Sequence, residues 1–314
     1  MKYAFVFPGQ GSQHIGMGAQ LYRDFQAARD VFNVVDDVLN QKLFDLMQNG
    51  TESELTLTAN AQPAIMAVSM ATVRVLEKEF GLNLSQKLSF VAGHSLGEYT
   101  AACVAGVFSL EDTAKLLRTR GLAMQEAVPQ GVGAMAAVIG LSVEDIDGLL
   151  QAASTEDAYC VAANDNMDGQ VVLSGHVKAI DKAVDLALEF GAKKAVKLPV
   201  SAPFHSPLIR AAEPVMMKAL NAVTSFEPKI KLISNVTALP AANKDEIISN
   251  LIKQVTGKVR WRETMAFLDE QNVTDVIEIG PLNVLSNMFK RGYKNIYSTA
   301  VHTKEEIEEL VNNL

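Results

Sequence analysis

The pentapeptide Gly93-His94-Ser95-Leu96-Gly97 constrains this chain more than any other stretch. It follows a short apolar run, residues 88–92, and precedes an Ala-rich, Pro-free run over 99–107. It therefore sits where a buried strand hands over to a helix. G-x-S-x-G in that setting is a nucleophile elbow. Its glycines let the backbone turn sharply and keep side chains off the serine. The serine oxygen then projects above the sheet edge, near the positive end of the new helix.

Such a turn needs strands and helices in alternation, and the chain supplies them. Residues 4–7 form a short buried strand followed by a Gly-rich loop. Pro63 suits the first turn of a long helix reaching about residue 80. Ser109-Leu110-Glu111-Asp112 is a capping box opening a helix to about residue 127. Residues 273–279 form a strand, then Gly280-Pro281, then a helix over about 284–289. The expectation is an α/β protein with a parallel sheet.

Between residues 131 and 198 the pattern changes. Strands are expected at 134–139, 159–163, 170–174 and 194–198, and helices at 143–153 and 178–190, around the turn-rich stretch 164–169. The order β-α-β-β-α-β is that of a ferredoxin-like module. It predicts a small subdomain, residues 131–198, inserted into a larger core made of residues 1–130 and 199–314. The crossings fall at Gly131-Val132-Gly133 and at Pro199-Val200-Ser201-Ala202-Pro203.

Composition narrows the function classes. A formal charge of −8 argues against nucleic-acid binding, which needs a basic face. No apolar run is long enough to span a bilayer. The N-terminus enters a strand directly, without a leader pattern. The two cysteines, Cys103 and Cys160, fall in a helix and a strand as small buried hydrophobes. That pattern fits a reducing, cytoplasmic setting better than a disulfide framework. The five histidines are scattered without metal-ligand spacing, so no metal site is expected.

Ser95 as a nucleophile needs a neutral base to take its proton; its bland alternative is an idle serine in a tight turn. His205 is the candidate base. It follows a strand and precedes Ser206-Pro207, which resemble the cap and first residue of a helix. A helix N-terminus beside it would discourage protonation. His94 adjoins Ser95, so its side chain should diverge from it; His14, His176 and His302 fit surface or loop positions. No acid is marked as a third member. A backbone carbonyl or an amide side chain could orient the imidazole instead, giving a Ser-His dyad.

The loop Pro8-Gly9-Gln10-Gly11-Ser12-Gln13-His14 fails the dinucleotide fingerprint, because His14 stands where its last small residue belongs. It can instead bring a backbone amide to an oxyanion at Ser95, together with the amide of Leu96. Arg120 lies on the apolar stripe of its helix, set by Leu116, Leu117 and Met124, whereas Arg118 falls on the polar side. A buried guanidinium must find an anion. That anion is an internal Asp or Glu, or else a substrate carboxylate held in a bidentate clamp.

Taken together these residues resemble the malonyl-CoA:acyl-carrier-protein transacylase family of bacterial type II fatty acid synthesis. The resemblance runs through Phe5-Val6-Phe7-Pro8-Gly9-Gln10-Gly11-Ser12-Gln13, Gly93-His94-Ser95-Leu96-Gly97-Glu98-Tyr99, Arg120-Gly121 with Met124-Gln125, Gly133-Ala134-Met135, Asn164, Phe204-His205, Gln254 and Glu278-Ile279-Gly280-Pro281. It covers nearly the whole chain in order. It implies an α/β-hydrolase-like core with a ferredoxin-like insert, and ping-pong transfer of malonyl from coenzyme A to the phosphopantetheine thiol of acyl-carrier protein.

The implied roles are Ser95 as nucleophile and His205 as base and acid. Gln10 and Leu96 are implied as oxyanion donors, and Arg120 as partner of the malonyl carboxylate. Met124, Asn164 and Phe204 would line the substrate site, and Gln254 would position His205 through its main-chain oxygen. Phe204 would crowd a branched acyl chain. No resident cofactor or metal is implied: coenzyme A arrives as the substrate thioester, and phosphopantetheine is carried by the partner. Lys178, Lys182, Lys193, Lys194, Lys197, Lys290 and Arg291 are candidates for a local basic surface facing an acidic carrier protein.

Overall fold

The computed structural model describes residues 1–200 and 202–314. Two sheets organise them. Five strands, β1 (Tyr3–Phe7), β2 (Leu88–Gly93), β7 (Lys231–Ile233), β8 (Asp275–Ile279) and β9 (Tyr297–Val301), form a parallel sheet in the order β7-β2-β1-β8-β9. Four more, β3 (Gly133–Ile139), β4 (Cys160–Met167), β5 (Gln170–His176) and β6 (Lys194–Lys197), form an antiparallel sheet in the order β4-β5-β3-β6. That order, with helices Val143–Ala153 and Val177–Ala187 on one face, is the ferredoxin-like arrangement expected.

The parallel strands are buried on both faces, as crossover helices require. β1 is buried along its whole length. One face packs against helices Gln26–Leu39, Thr58–Lys78 and Leu110–Glu126. The other packs against Trp261, Met265 and Phe289 of the C-terminal helices. Because β1 pairs with β2 on one side and β8 on the other, the loops leaving β1 and β2 open at one sheet edge. This is where ligands bind in open α/β sheets.

Several local expectations are corrected. Helix Thr58–Lys78 begins five residues before Pro63, which lies inside it. Burial of Thr58, Asn60, Ala61 and Gln62 outweighs the proline's preference for a first turn. Ser109 caps its helix by accepting from the Asp112 amide. The Asp112 carboxylate takes the Ser109 hydroxyl at 3.0 Å, so the reciprocal half of the box is not made.

The turn expected at 164–169 shrinks to Asp168-Gly169, because Asn164 to Met167 continue β4. Ser206 does not cap. Its hydroxyl donates to Pro203 O at 2.7 Å, and only a short 3-10 turn, Pro207–Ile209, follows. Of the crossing at 199–203, Ser201 lies outside the described residues.

The antiparallel sheet is tied to the core at the start of helix Trp261–Glu270. Asp165 N–H donates to Val259 O and Val259 N–H to Ala163 O, at 2.9 and 2.8 Å. Arg262 grips the buried Asp165 carboxylate through Nε and Nη2, the shortest contact being 2.8 Å.

Candidate active site

β2 ends at Gly93 and helix Leu96–Val104 starts three residues later. Between them Ser95 adopts φ 53° and ψ −110°, a strained backbone for a residue with a side chain. Two close approaches make the turn possible. A Cβ on Gly93 would lie 2.0 Å from the carbonyl of Gly97, and one on Gly97 would lie 2.1 Å from Phe7 O. Asn235, at the end of β7, braces the strain. Its Oδ1 accepts from Ser95 N–H at 2.8 Å and its Nδ2 donates to Gly93 O at 2.6 Å.

Ser95 Oγ stands 2.7 Å from His205 Nε2. His205 also sits at positive φ, 56°, and is 3% exposed. Its Nδ1 faces two carbonyls, Gln254 O at 2.8 Å and Gly257 O at 3.1 Å. Carbonyls only accept, so they assign the proton to Nδ1 and leave Nε2 with a lone pair toward Ser95. The orienting group left open by the sequence is therefore the backbone, not an acid.

Burial, with the Arg120 charge adding to it, pushes the His205 pKa down to about 3. The ring is thus neutral at physiological pH through desolvation and a nearby cation. The helix N-terminus expected to do this is not there.

Arg120 projects from helix Leu110–Glu126 and is 1% exposed. Among the described residues its hydrogen bonds go to neutral oxygens: Nη1 to Gln62 Oε1 at 2.8 Å, and Nη2 to Gln254 Oε1 at 2.8 Å and to Ser95 Oγ at 3.1 Å. The Tyr99 ring lies beneath it, 5.5 Å from the guanidinium carbon. The internal acid weighed as its partner does not pair with it directly. Glu98 reaches it through space, with the Gln254 amide between the two. A charged guanidinium is held among neutral amides in a cleft, ready for a carboxylate from outside. Arg118, on the polar side as expected, turns to Asn60 and Gln41.

The cleft holds about 280 Å³ and is lined by Gln10, Leu96, Met124, Asn164, Phe204 and the crossing residues Leu198 to Val200, besides Ser95, Arg120 and His205. Leu96 opens its helix, so its N–H has no intrahelical partner. Asn164 Oδ1 is buried without a hydrogen bond among the described residues. His94 diverges as expected, its Nε2 meeting Asn166 Oδ1 at 2.8 Å. Gln254 does face His205 with its main-chain oxygen, and its side chain also reaches Arg120.

Three residues in this shell carried no mark in the sequence, Gln62, Asn235 and Asn166, and a fourth, Glu98, entered only as part of the elbow motif without a role. Glu98 is fully buried beside the elbow. Burial pushes its pKa up to about 7, against the hydrogen bonds from Ser234, Gln254 and Asn235. Its place in the elbow motif, three residues after Ser95, gave no sign of this burial. No group of three or more His, Cys, Asp or Glu among the described residues could hold a metal ion.

Comparison with known proteins places the chain in context. The family model of the acyl transferase domain matches residues 4–311. A Bacillus subtilis malonyl CoA-acyl carrier protein transacylase is 42% identical over 313 residues, spanning 100% of this chain and 97% of that protein. An acyl-carrier-protein-S-malonyltransferase from Bartonella henselae superposes with a TM-score of 0.97 at 51% identity, covering 100% and 99% of the two chains. A malonyl-transacylase solved in complex with its type II PKS acyl-carrier protein superposes with a TM-score of 0.95 at 37% identity, covering 100% of both chains.

Proposed function

The chain belongs to the acyl transferase domain family, and on that footing we infer that it moves malonyl from malonyl-CoA to the phosphopantetheine thiol of acyl-carrier protein, for fatty acid synthesis. The transfer runs in two halves through an ester on Ser95. The malonyl carboxylate meets the Arg120 guanidinium, which brings the thioester carbon over Ser95 Oγ. Oγ attacks that carbon while its proton passes to His205 Nε2. The carbonyl oxygen becomes an oxyanion facing the backbone N–H groups of Gln10 and Leu96, each worth ~3 kcal/mol in comparable sites.

Collapse breaks the carbon–sulfur bond, and coenzyme A leaves as the thiol, carrying the proton back from His205. In the second half the carrier thiol gives its proton to His205 and attacks the ester carbon. Ser95 Oγ departs and recovers that proton. In this reading Met124 and Phe204 close the apolar wall of the site. Asn164 Oδ1 is free to receive a donor from the substrate, and Gln254 O keeps the His205 tautomer.

The core, residues 1–130 and 199–314, carries the nucleophile and the base, and the insert, 131–198, closes the cleft over them. No resident cofactor or metal enters. Lys178, Lys182, Lys193, Lys194, Lys197, Lys290 and Arg291 are exposed and in this reading offered to an acidic carrier, Lys197 being already paired with Asp181 at 2.6 Å. A cytoplasmic setting goes with this reading: Cys103 and Cys160 are free and buried. No helix among the described residues is long and apolar enough to cross a membrane.

One observation carries the choice of malonyl: Arg120 is buried within 3.1 Å of the nucleophile and hydrogen-bonded only to neutral partners. Incubation with labelled malonyl-CoA followed by intact-mass and peptide mapping tests it. A malonyl adduct at Ser95 that passes to carrier thiol is the expected result. Release of free malonate without transfer would make the protein a hydrolase, and no adduct would make it a binding module.

A further inference from the structure

The Gln254 side chain touches the machinery on both sides, and its amide has only one workable orientation. Its Oε1 accepts from Arg120 Nη2 at 2.8 Å. Its Nε2 faces three acceptors: Glu98 Oε2 at 2.7 Å, Ser95 O at 2.9 Å and Asn235 Oδ1 at 3.3 Å. A flipped amide would set NH2 against the guanidinium and oxygen against three oxygens, leaving every contact repulsive.

Among the three acceptors the Glu98 carboxylate makes the shortest contact. Glu98 is itself held firmly, with Oε1 accepting from Ser234 Oγ at 2.8 Å and Oε2 from Asn235 N–H at 3.1 Å. It touches neither Ser95 Oγ nor the His205 ring.

We propose that Glu98 is a positioning residue: its Oε2 fixes the Gln254 amide so that Oε1 anchors the Arg120 guanidinium in the line of an incoming carboxylate, which sets selectivity for carboxylated acyl groups. The proposal rests on the malonyl reading above. It assigns the effect to an acceptor oxygen at the right reach, not to the charge. In a merely structural role Glu98 would satisfy the buried Ser234 and Asn235 groups and would leave selectivity alone.

The experiment compares Glu98→Gln with Glu98→Asp. Glutamine keeps an oxygen at full reach, and its NH2 can turn to Ser234, whose hydroxyl also accepts. Aspartate keeps the charge but withdraws the acceptor by about one bond length, some 1.5 Å. Self-acylation with malonyl-CoA and with acetyl-CoA is measured for each variant as kcat/KM.

The expected result is a malonyl-to-acetyl ratio within about threefold of wild type for Glu98→Gln and at least tenfold lower for Glu98→Asp. Equal losses on both substrates, or the reverse ranking of the variants, would overturn the proposal. Should wild type show no malonyl preference, the functional reading falls by itself. The orientation role is then read from rotation of the 15N-labelled Arg120 guanidinium by NMR. It should be slow in wild type and Glu98→Gln and fast in Glu98→Asp, and equal rates in all three would overturn it.

Discussion

Arg120 and His205 converge on one atom: Nη2 of the first stands 3.1 Å, and Nε2 of the second 2.7 Å, from Ser95 Oγ. One group offers a fixed positive charge and the other a neutral lone pair. The first conditions the second, because the cation beside the imidazole disfavours its protonation. In the proposed reaction a carboxylate arriving at Arg120 would neutralise that effect where His205 takes the proton.

Loss of the guanidinium should separate the substrates. Arg120→Ala is expected to lower malonyl self-acylation by at least a hundredfold and acetyl self-acylation far less. The reason is that a site built to pair a charged group rejects substrates that leave it unpaired. Comparable losses with malonyl-CoA and acetyl-CoA would remove Arg120 from the clamp.

The depressed pKa of His205 predicts an unusual pH profile. A histidine at its ordinary value of 6.5 would be mostly protonated at pH 5, and acylation would fall more than tenfold between pH 8 and 5. With the folded value near 3, the rate of Ser95 acylation should stay within about threefold over that range. His205→Ala should slow it by roughly 10²–10⁴ throughout. Single-turnover acylation monitored by mass spectrometry gives both numbers.

The elbow tolerates no added methyl. Gly97→Ala would drive a Cβ to 2.1 Å from Phe7 O and 2.9 Å from Pro8 O, both backbone atoms that cannot swing aside. The expected cost is about 2–4 kcal/mol of stability. Ser95 acylation should be lost even in the folded fraction, because β1 and the new helix must move apart. Urea denaturation together with labelling at Ser95 measures both effects; unchanged labelling would show that the turn is less tightly built.

Glu278 makes a separate prediction about stability. It is a buried residue of β8 and accepts from Ser286 N–H at 2.8 Å, and burial pushes its pKa from 4.5 up to about 7. A raised folded value means that the group binds protons more readily in the native state. Its contribution is fully present below pH 4.5 and is lost as pH rises through 7. The sign is opposite for His205, whose depressed value costs stability as pH falls below 6.5.

Glu278→Gln removes the first trend. Its stability relative to wild type should therefore rise between pH 5 and 8, by about 2.5 kcal/mol at most. Chemical denaturation at the two pH values tests this, and a constant difference between the proteins would refute it.

Features governed by neighbours in the chain were legible in the sequence. The elbow at 93–97, the β-α-β-β-α-β order and the inward phase of Arg120 all follow from spacing at periods of two or 3.6 residues, and the structure keeps each of them. Where two local rules compete, burial decided the matter at Pro63, and at Ser206 a carbonyl three residues back, Pro203 O, took the hydroxyl that would have capped. Glu98 illustrates the limit. On its helix it looks like an ordinary acid in the first turn, and only the approach of Ser234, Asn235 and Gln254, well over a hundred residues away, makes it a buried hub.

The amino-acid sequence alone determined that a serine would be presented on a strained turn between a buried strand and a helix, with an arginine on the inner face of the helix that follows. Tertiary structure decided what those groups meet. Main-chain oxygens of Gln254 and Gly257, not an acid, orient His205, and neutral amides, not a carboxylate, surround Arg120. Local backbone preference propagates over a few residues, whereas hydrogen-bond partners and desolvation are set by which distant segments the sheet brings to the same edge.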